Sequence, residues 1–153
     1  MRIEAVEGQS SVEAAALLPV IMLLVALLVQ PVCAFYTLTV MRHAAAETVR
    51  VLATTDEEEV ARSFALRRLR AVPESALFHS GGDGDWCVRV QKEGGATAGV
   101  EVSGHVTPLP LFGVVVEGMG PHDDRGVLLV ASVIESVRPE WVSGDYADWI
   151  GEW

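Results

Sequence analysis

Between Glu13 and Arg42 the chain carries no charged side chain for 28 residues (14 to 41). As an α-helix this run would be about 42 Å long, more than the ~30 Å hydrocarbon core of a bilayer requires. A helix inside a water-soluble domain is seldom so long and so evenly apolar. The run beginning at Ala14 is therefore read as a membrane-spanning helix. Pro19 and Pro31 lie within it. Each removes one helix hydrogen bond and favours a kink, which membrane helices tolerate where neighbouring groups satisfy the freed carbonyls. Gln30, next to Pro31, is placed to serve those carbonyls or to face a partner helix. Phe35 and Tyr36 are placed for the outer membrane–water interface, where aromatic rings concentrate.

The residues before the run sharpen this reading. Gly8-Gln9-Ser10-Ser11-Val12-Glu13 sets a glycine, four residues and a glutamate at the mouth of the apolar helix, with an alanine-rich exit at Ala44-Ala45-Ala46-Glu47. From Gly8 to about Ala53 the chain resembles the TadE-like minor pilins of tight-adherence (Flp-type) pilus systems. The resemblance implies a short leader, residues 1–8, removed between Gly8 and Gln9 by a prepilin peptidase. It implies a mature protein that keeps its membrane helix, and Glu13 facing the free N-terminal amine of a neighbouring pilin subunit. The simpler reading of Glu13 places it at headgroup level, where a carboxylate favours the positive end of a helix. The leader departs from the usual basic pattern, since Arg2 stands against Glu4 and Glu7. The Lys and Arg count near the helix ends does not favour a cytoplasmic N-terminus. That orientation, with an extracytoplasmic head, is expected from the resemblance.

Beyond the membrane run about a hundred residues remain, enough for one small domain. The net charge of −10 argues against a nucleic-acid module, which needs a basic face to meet phosphates. The two cysteines, Cys33 and Cys87, do not make a disulfide framework. Residues 42–53 read as continuing helix, a stalk that completes a 9–53 segment. Thr55 is placed to cap a second helix, with Glu58 closing a capping box and pairing with Arg62. Val60, Ala61, Phe64, Ala65 and Leu69 would form its apolar face, and Pro73 ends it. Arg62, Arg67, Arg68 and Arg70 read as a solvated face rather than a site for anionic headgroups.

The remainder of the 54–138 head is β-rich. Trp86, Val88 and Val90 alternate with Cys87, Arg89 and Gln91. Val100, Val102 and Val106 alternate with Glu101, Ser103 and His105, which predicts a hairpin. Val114–Val116 reads as a short strand and Val127–Val137 as a longer one. The second helix would cover the resulting antiparallel sheet. The expected fold class is α+β: a long N-terminal transmembrane helix, with a second amphipathic helix packed on a small sheet, the pilin-like layout.

Residues 139–153 form an acidic tail with three of the chain's four tryptophans. Trp141, Tyr146, Trp149 and Trp153 are candidates for docking a partner, since exposed aromatics anchor interfaces; a tail folded back on the sheet is the other reading. Asp83 and Asp85 lie in a glycine-rich loop without the full spacing of a calcium loop. The histidines are scattered, with no His-Glu-x-x-His, phosphate loop or nucleophile elbow. The reading is thus of a structural protein, not an enzyme, with no catalytic residue, cofactor, metal or small-molecule substrate. Its partners would be the membrane, the peptidase, other pilin subunits and the pilus assembly machinery. The alternative is an unprocessed, signal-anchored binding module that recruits a protein partner through its head or tail.

Overall fold

The computed structural model describes residues 4–55, 57–93, 97–110 and 113–136. One helix, α1 (Glu4–Thr54), runs through both prolines. It changes character at Gln30. From Ser11 to Val29 its side chains are exposed, with only Ala26 and Leu27 partly covered. From Gln30 onward a buried stripe appears: Gln30, Ala34, Thr37, Met41, Ala44, Ala45, Thr48, Val49 and Leu52. Spacings of three and four place these residues on one helix face. The uncharged run therefore meets two environments. Its last twelve residues, 30–41, belong to the head.

The second helix, α2 (Glu58–Leu69), starts later than the capping pattern implied. Its N-cap is Glu57, and no side chain caps it. Thr54, one turn earlier, bonds back to carbonyls of α1 at Arg50 and Val51. Arg62 pairs with Glu59 at 3.8 Å rather than with Glu58. The inward face consists of Ala61, Ala65 and Leu69, while Val60 is exposed. Phe64 lies beneath the guanidinium groups of Arg67 and Arg68.

A four-stranded antiparallel sheet follows, in the order β1-β2-β4-β3. Strands β1 (Cys87–Glu93) and β2 (Thr97–Val106) form the expected hairpin, with Val88 opposite Val102. Strand β4 (Gly126–Ser136) pairs along β2, with Val102 opposite Ala131 and Val106 opposite Val127. The two-residue strand β3 (His122–Asp123) adds to the base of β4. Alternation turns Val100, Val102, Val127, Leu129 and Ala131 inward.

Covering the sheet falls mainly to α1, which lies across β2 and β4; α2 packs on α1 and reaches β1. The expectation that α2 would cover the sheet is met at β1 and corrected for β2 and β4, which α1 covers. The reason is visible in α1: small residues at 34, 44 and 45 let helix and sheet approach closely, whereas α2 is short and turns only Ala61, Ala65 and Leu69 fully inward. The Val114–Val116 segment is also corrected. It is a single helical turn, α3 (Val114–Glu117), between Gly113 and Gly118. Glu117 N–H donates to the Gly113 carbonyl at 2.8 Å, and Val116 is buried while its neighbours point out. Local closure there outweighs the strand preference of three valines.

Met41 is fully buried at the centre of the helix–sheet core. Met41→Ala should destabilise the head by about 2–5 kcal/mol. Val60→Ala should change stability by no more than about 0.5 kcal/mol. Urea unfolding of the detergent-solubilised protein, followed by tryptophan fluorescence, measures both.

Candidate functional site at the helix–head junction

The exposed part of α1, Ser11–Val29, has 19 residues. At the helical rise this is about 28 Å, close to the ~30 Å thickness of a hydrocarbon core. The helix is long and apolar enough to cross a membrane. Glu13 lies near its N-terminal edge and Gln30 just past the other. Gly8 and Gln9 lie within α1, ahead of the exposed stretch. Pro19 is exposed with the rest of the span, whereas Pro31 is buried against the head.

Gln30 is almost completely buried and hydrogen-bonds across 77 residues of sequence. Its Nε2 donates to the Thr107 carbonyl at 2.8 Å, and its Oε1 accepts from Leu109 N–H at 3.0 Å. Both ends of the amide are thus used by the Thr107–Leu109 backbone, where Pro108 and Pro110 break the strand ladder. This corrects the expectation that Gln30 serves the carbonyls freed by Pro31 or faces another helix. Seven residues on, Thr37 Oγ1 accompanies it by donating to the Phe78 carbonyl at 2.9 Å. Tyr36 meets Phe78 edge to face at 5.7 Å. Phe35 points outward, 59% exposed.

A second polar group lies at the same end of the head. Asp85, with a side chain only 4% exposed, sits at its centre. Its Oδ2 accepts from His105 N–H at 2.7 Å and from His79 Nε2 at 3.2 Å. Its Oδ1 accepts from His105 Nδ1 at 2.7 Å and from Arg125 Nη1 at 3.2 Å. The far side of the His105 ring, Nε2, meets Asp123 Oδ2 at 3.0 Å. The His105 ring therefore has a carboxylate oxygen at each of its two nitrogens. Burial pulls Asp85 upward, but donation by His105 N–H, the His105 ring and His79 outweighs it and holds the carboxyl below its ordinary value. Asp123 is also held low, first by Arg125 N–H and then by the His105 and Arg125 charges. His79 goes the other way from a paired histidine. Desolvation lowers it despite Asp85, and its ring stacks on Trp86 at 3.8 Å.

This arrangement ties together the loop before β1, the end of β2 and the β3–β4 turn. Both nitrogens of the His105 ring already face carboxylates. Among the described residues, no group of three or more His, Cys, Asp or Glu is arranged to hold a metal. Asp83, the other aspartate of the glycine-rich loop, pairs with Arg70 at 3.1 Å. Arg68 pairs with Glu47 of α1.

Sequence reasoning did not assemble His79, Asp85, His105, Asp123 and Arg125, which are spread over 47 positions. The available signal was Gly104. A glycine inside a strand marks close approach, and a Cβ there would lie 2.5 Å from Trp86 Cζ3. Trp141, Tyr146, Trp149 and Trp153 lie outside the described residues.

The chain thus combines one helix able to anchor in a membrane with an α+β head built on the same helix. Residues 8–50 match the model of the TadE-like protein family, so the N-terminal helix is similar to that family over this stretch, as its sequence pattern implied. The matched stretch ends within α1; α2 and the sheet lie beyond it. No match was found among curated proteins or among solved structures.

Gln30→Leu would leave the Thr107 carbonyl and Leu109 N–H without their partner. It should cost about 1–3 kcal/mol, read as a lower midpoint of unfolding in detergent. The pH response follows from the folded-state values. His79, Asp85 and Asp123 all lie below their unfolded values, so each stabilises the fold above its unfolded pKa and ceases to do so on acidification. Stability should fall as pH drops through about 6.5, where unfolded His79 takes up a proton, and again in the carboxylate range. His79→Gln should flatten the upper limb in thermal melts between pH 8 and 5. An unchanged slope in that variant would rule out His79 as its origin.

Proposed function

We propose that this chain is a membrane-anchored minor pilin or pseudopilin. It is processed between Gly8 and Gln9 by a prepilin peptidase and takes part in tight-adherence pilus assembly or secretion. One observation carries the reading: the family match over residues 8–50 coincides with a helix whose first part stands bare for about one bilayer thickness. The N-terminus lies in the cytoplasm and the head outside it.

The mechanism is packing rather than chemistry. Lipid tails and a helix bundle are similarly apolar, so moving the Ser11–Val29 span between them yields little free energy by itself. A carboxylate at the membrane edge is different, because an acid within a spanning helix costs about 2.5–3.5 kcal/mol on insertion scales. After cleavage Gln9 supplies a free amine. Glu13 of one subunit meets the amine of another, and each charge offsets the other. Other pilin subunits and the assembly machinery are the partners this requires.

The N-terminal mass of the protein purified from host membranes tests processing. A chain beginning at Gln9, and one still beginning at Met1 in a Gly8→Val variant, is the expected pair of results. Glu13→Ala should be cleaved like the parent yet be lost from sheared filaments by at least about tenfold, as removal of an interaction of ~1.4 kcal/mol or more implies. A parent chain that keeps Met1 beside an active peptidase would favour an unprocessed anchored module that recruits its partner through the head or the 139–153 tail.

A further inference from the structure

We infer that the head makes a second, peripheral contact with the membrane surface through Val114 and Val115 of α3, beside the point where α1 enters the bilayer. The inference rests on the reading of Ser11–Val29 as the membrane span. Val114 and Val115 are 67% and 54% exposed, while Val116 between Gly113 and Gly118 is fully buried. One turn of helix thus turns two valines outward and is fastened by the third.

Its height on the molecule follows from three contacts. The Thr107–Leu109 backbone is held by Gln30, the first buried residue past the bare span. Gly113 N–H then donates to the Leu109 carbonyl at 2.7 Å, setting α3 directly after that loop. Finally, α3 itself lies against α1. Ala26 and Leu27, one turn nearer the N-terminus than Gln30, are partly covered as well. With the span filling the hydrocarbon, Val114 and Val115 stand at the boundary between acyl chains and headgroups. Each exposed apolar group there gains by leaving water.

The chemistry selects a neutral surface. From Thr107 to Asp124 the chain has no Lys or Arg, and Glu117 lies on the same turn as the valines. The segment that carries the valines therefore offers anionic lipid no cation of its own. Arg68 pairs with Glu47, seventeen residues or about 25 Å further along α1 than Gln30.

The test uses the full chain in phosphatidylcholine vesicles, with an environment-sensitive fluorophore on a single cysteine in a Cys33→Ala/Cys87→Ser background. The label is placed in turn at Val115→Cys, Val20→Cys and Ile134→Cys. Val20 reports insertion of the span. Ile134 is an equally apolar control, 73% exposed, near the opposite end of the sheet from the Val106–Val127 pair. The expected result is a blue-shifted Val115 label quenched most by lipid carrying its spin label near the headgroup. The Val20 label should be quenched most by lipid spin-labelled deep in the chain, and the Ile134 label should be quenched by neither. A quenched Val20 label with a Val115 label no more quenched than that at Ile134 overturns the inference and leaves the membrane span standing. An unquenched Val20 label overturns the span and the inference together.

Discussion

A single helix has to satisfy two solvents, and the rest of the structure depends on where it changes from one to the other. From Ala14 to Val29 α1 is apolar on every side and uncovered, except in part at Ala26 and Leu27. From Gln30 one face is buried and the opposite face carries Arg42, His43 and Arg50. The buried face is not an accessory to the head but half of its core. Met41, Val49 and Leu52 are fully or almost fully withdrawn from water against the inward residues of β2 and β4. Each such side chain gains about 1.5–3 kcal/mol by burial. Without α1 the sheet would present Val100, Val102, Val127 and Leu129 to solvent, and α2 is too short and too charged to replace it. Anchor and head are therefore one folding unit.

The two polar constellations make sense in that frame. A buried glutamine and a buried aspartate surrounded by donors are expensive unless every polar atom is used. Gln30 uses both ends of its amide on one loop. Asp85 uses both oxygens on four donors. Together they fix the base of the head, the end from which the apolar span departs, and there hydrophobic burial alone would leave the loops free to shift. Hydrogen bonds define register and direction, which apolar contacts do not. The stacking of His79 on Trp86 over Gly104 closes the same corner with apolar area.

Much of the architecture was legible because it is written in periodicity. The uncharged run, the β1–β2 hairpin and the β4 strand each show a spacing that survives into the structure. So does the TadE-like pattern, since it lies within one continuous element. What escaped reading depends on contacts between distant segments. Nothing local distinguishes Gln30 facing a head loop from Gln30 facing another helix. Three valines in a row favour a strand, and only the closure of Gly113 onto Leu109 makes them a helical turn. Thr55 and Glu58 form a plausible cap, yet Thr54 bonds back into α1 and the helix begins at Glu58. The Asp85 cluster draws on three loops and strand ends, so no window of sequence contains it.

The division of α1 at Gln30 also says what can move. In the assembly proposed above, the chain would exchange neighbours along Ser11–Val29 on passing from lipid into a helical bundle, and no member of the head's buried core lies on that stretch. The head can therefore travel as a rigid body with its hydrogen bonds and buried stripe intact. Pro19 sits within the bare part and Pro31 within the packed part. Pro31 is held by the head, while the carbonyl freed by Pro19 meets whatever surrounds the span. Any bend that differs between lipid and bundle is thus confined to the segment that changes partners. Apolar packing is nearly indifferent to such an exchange, which is why the proposed reading gives the charged residue at the mouth of the span, Glu13, the task of distinguishing the two states.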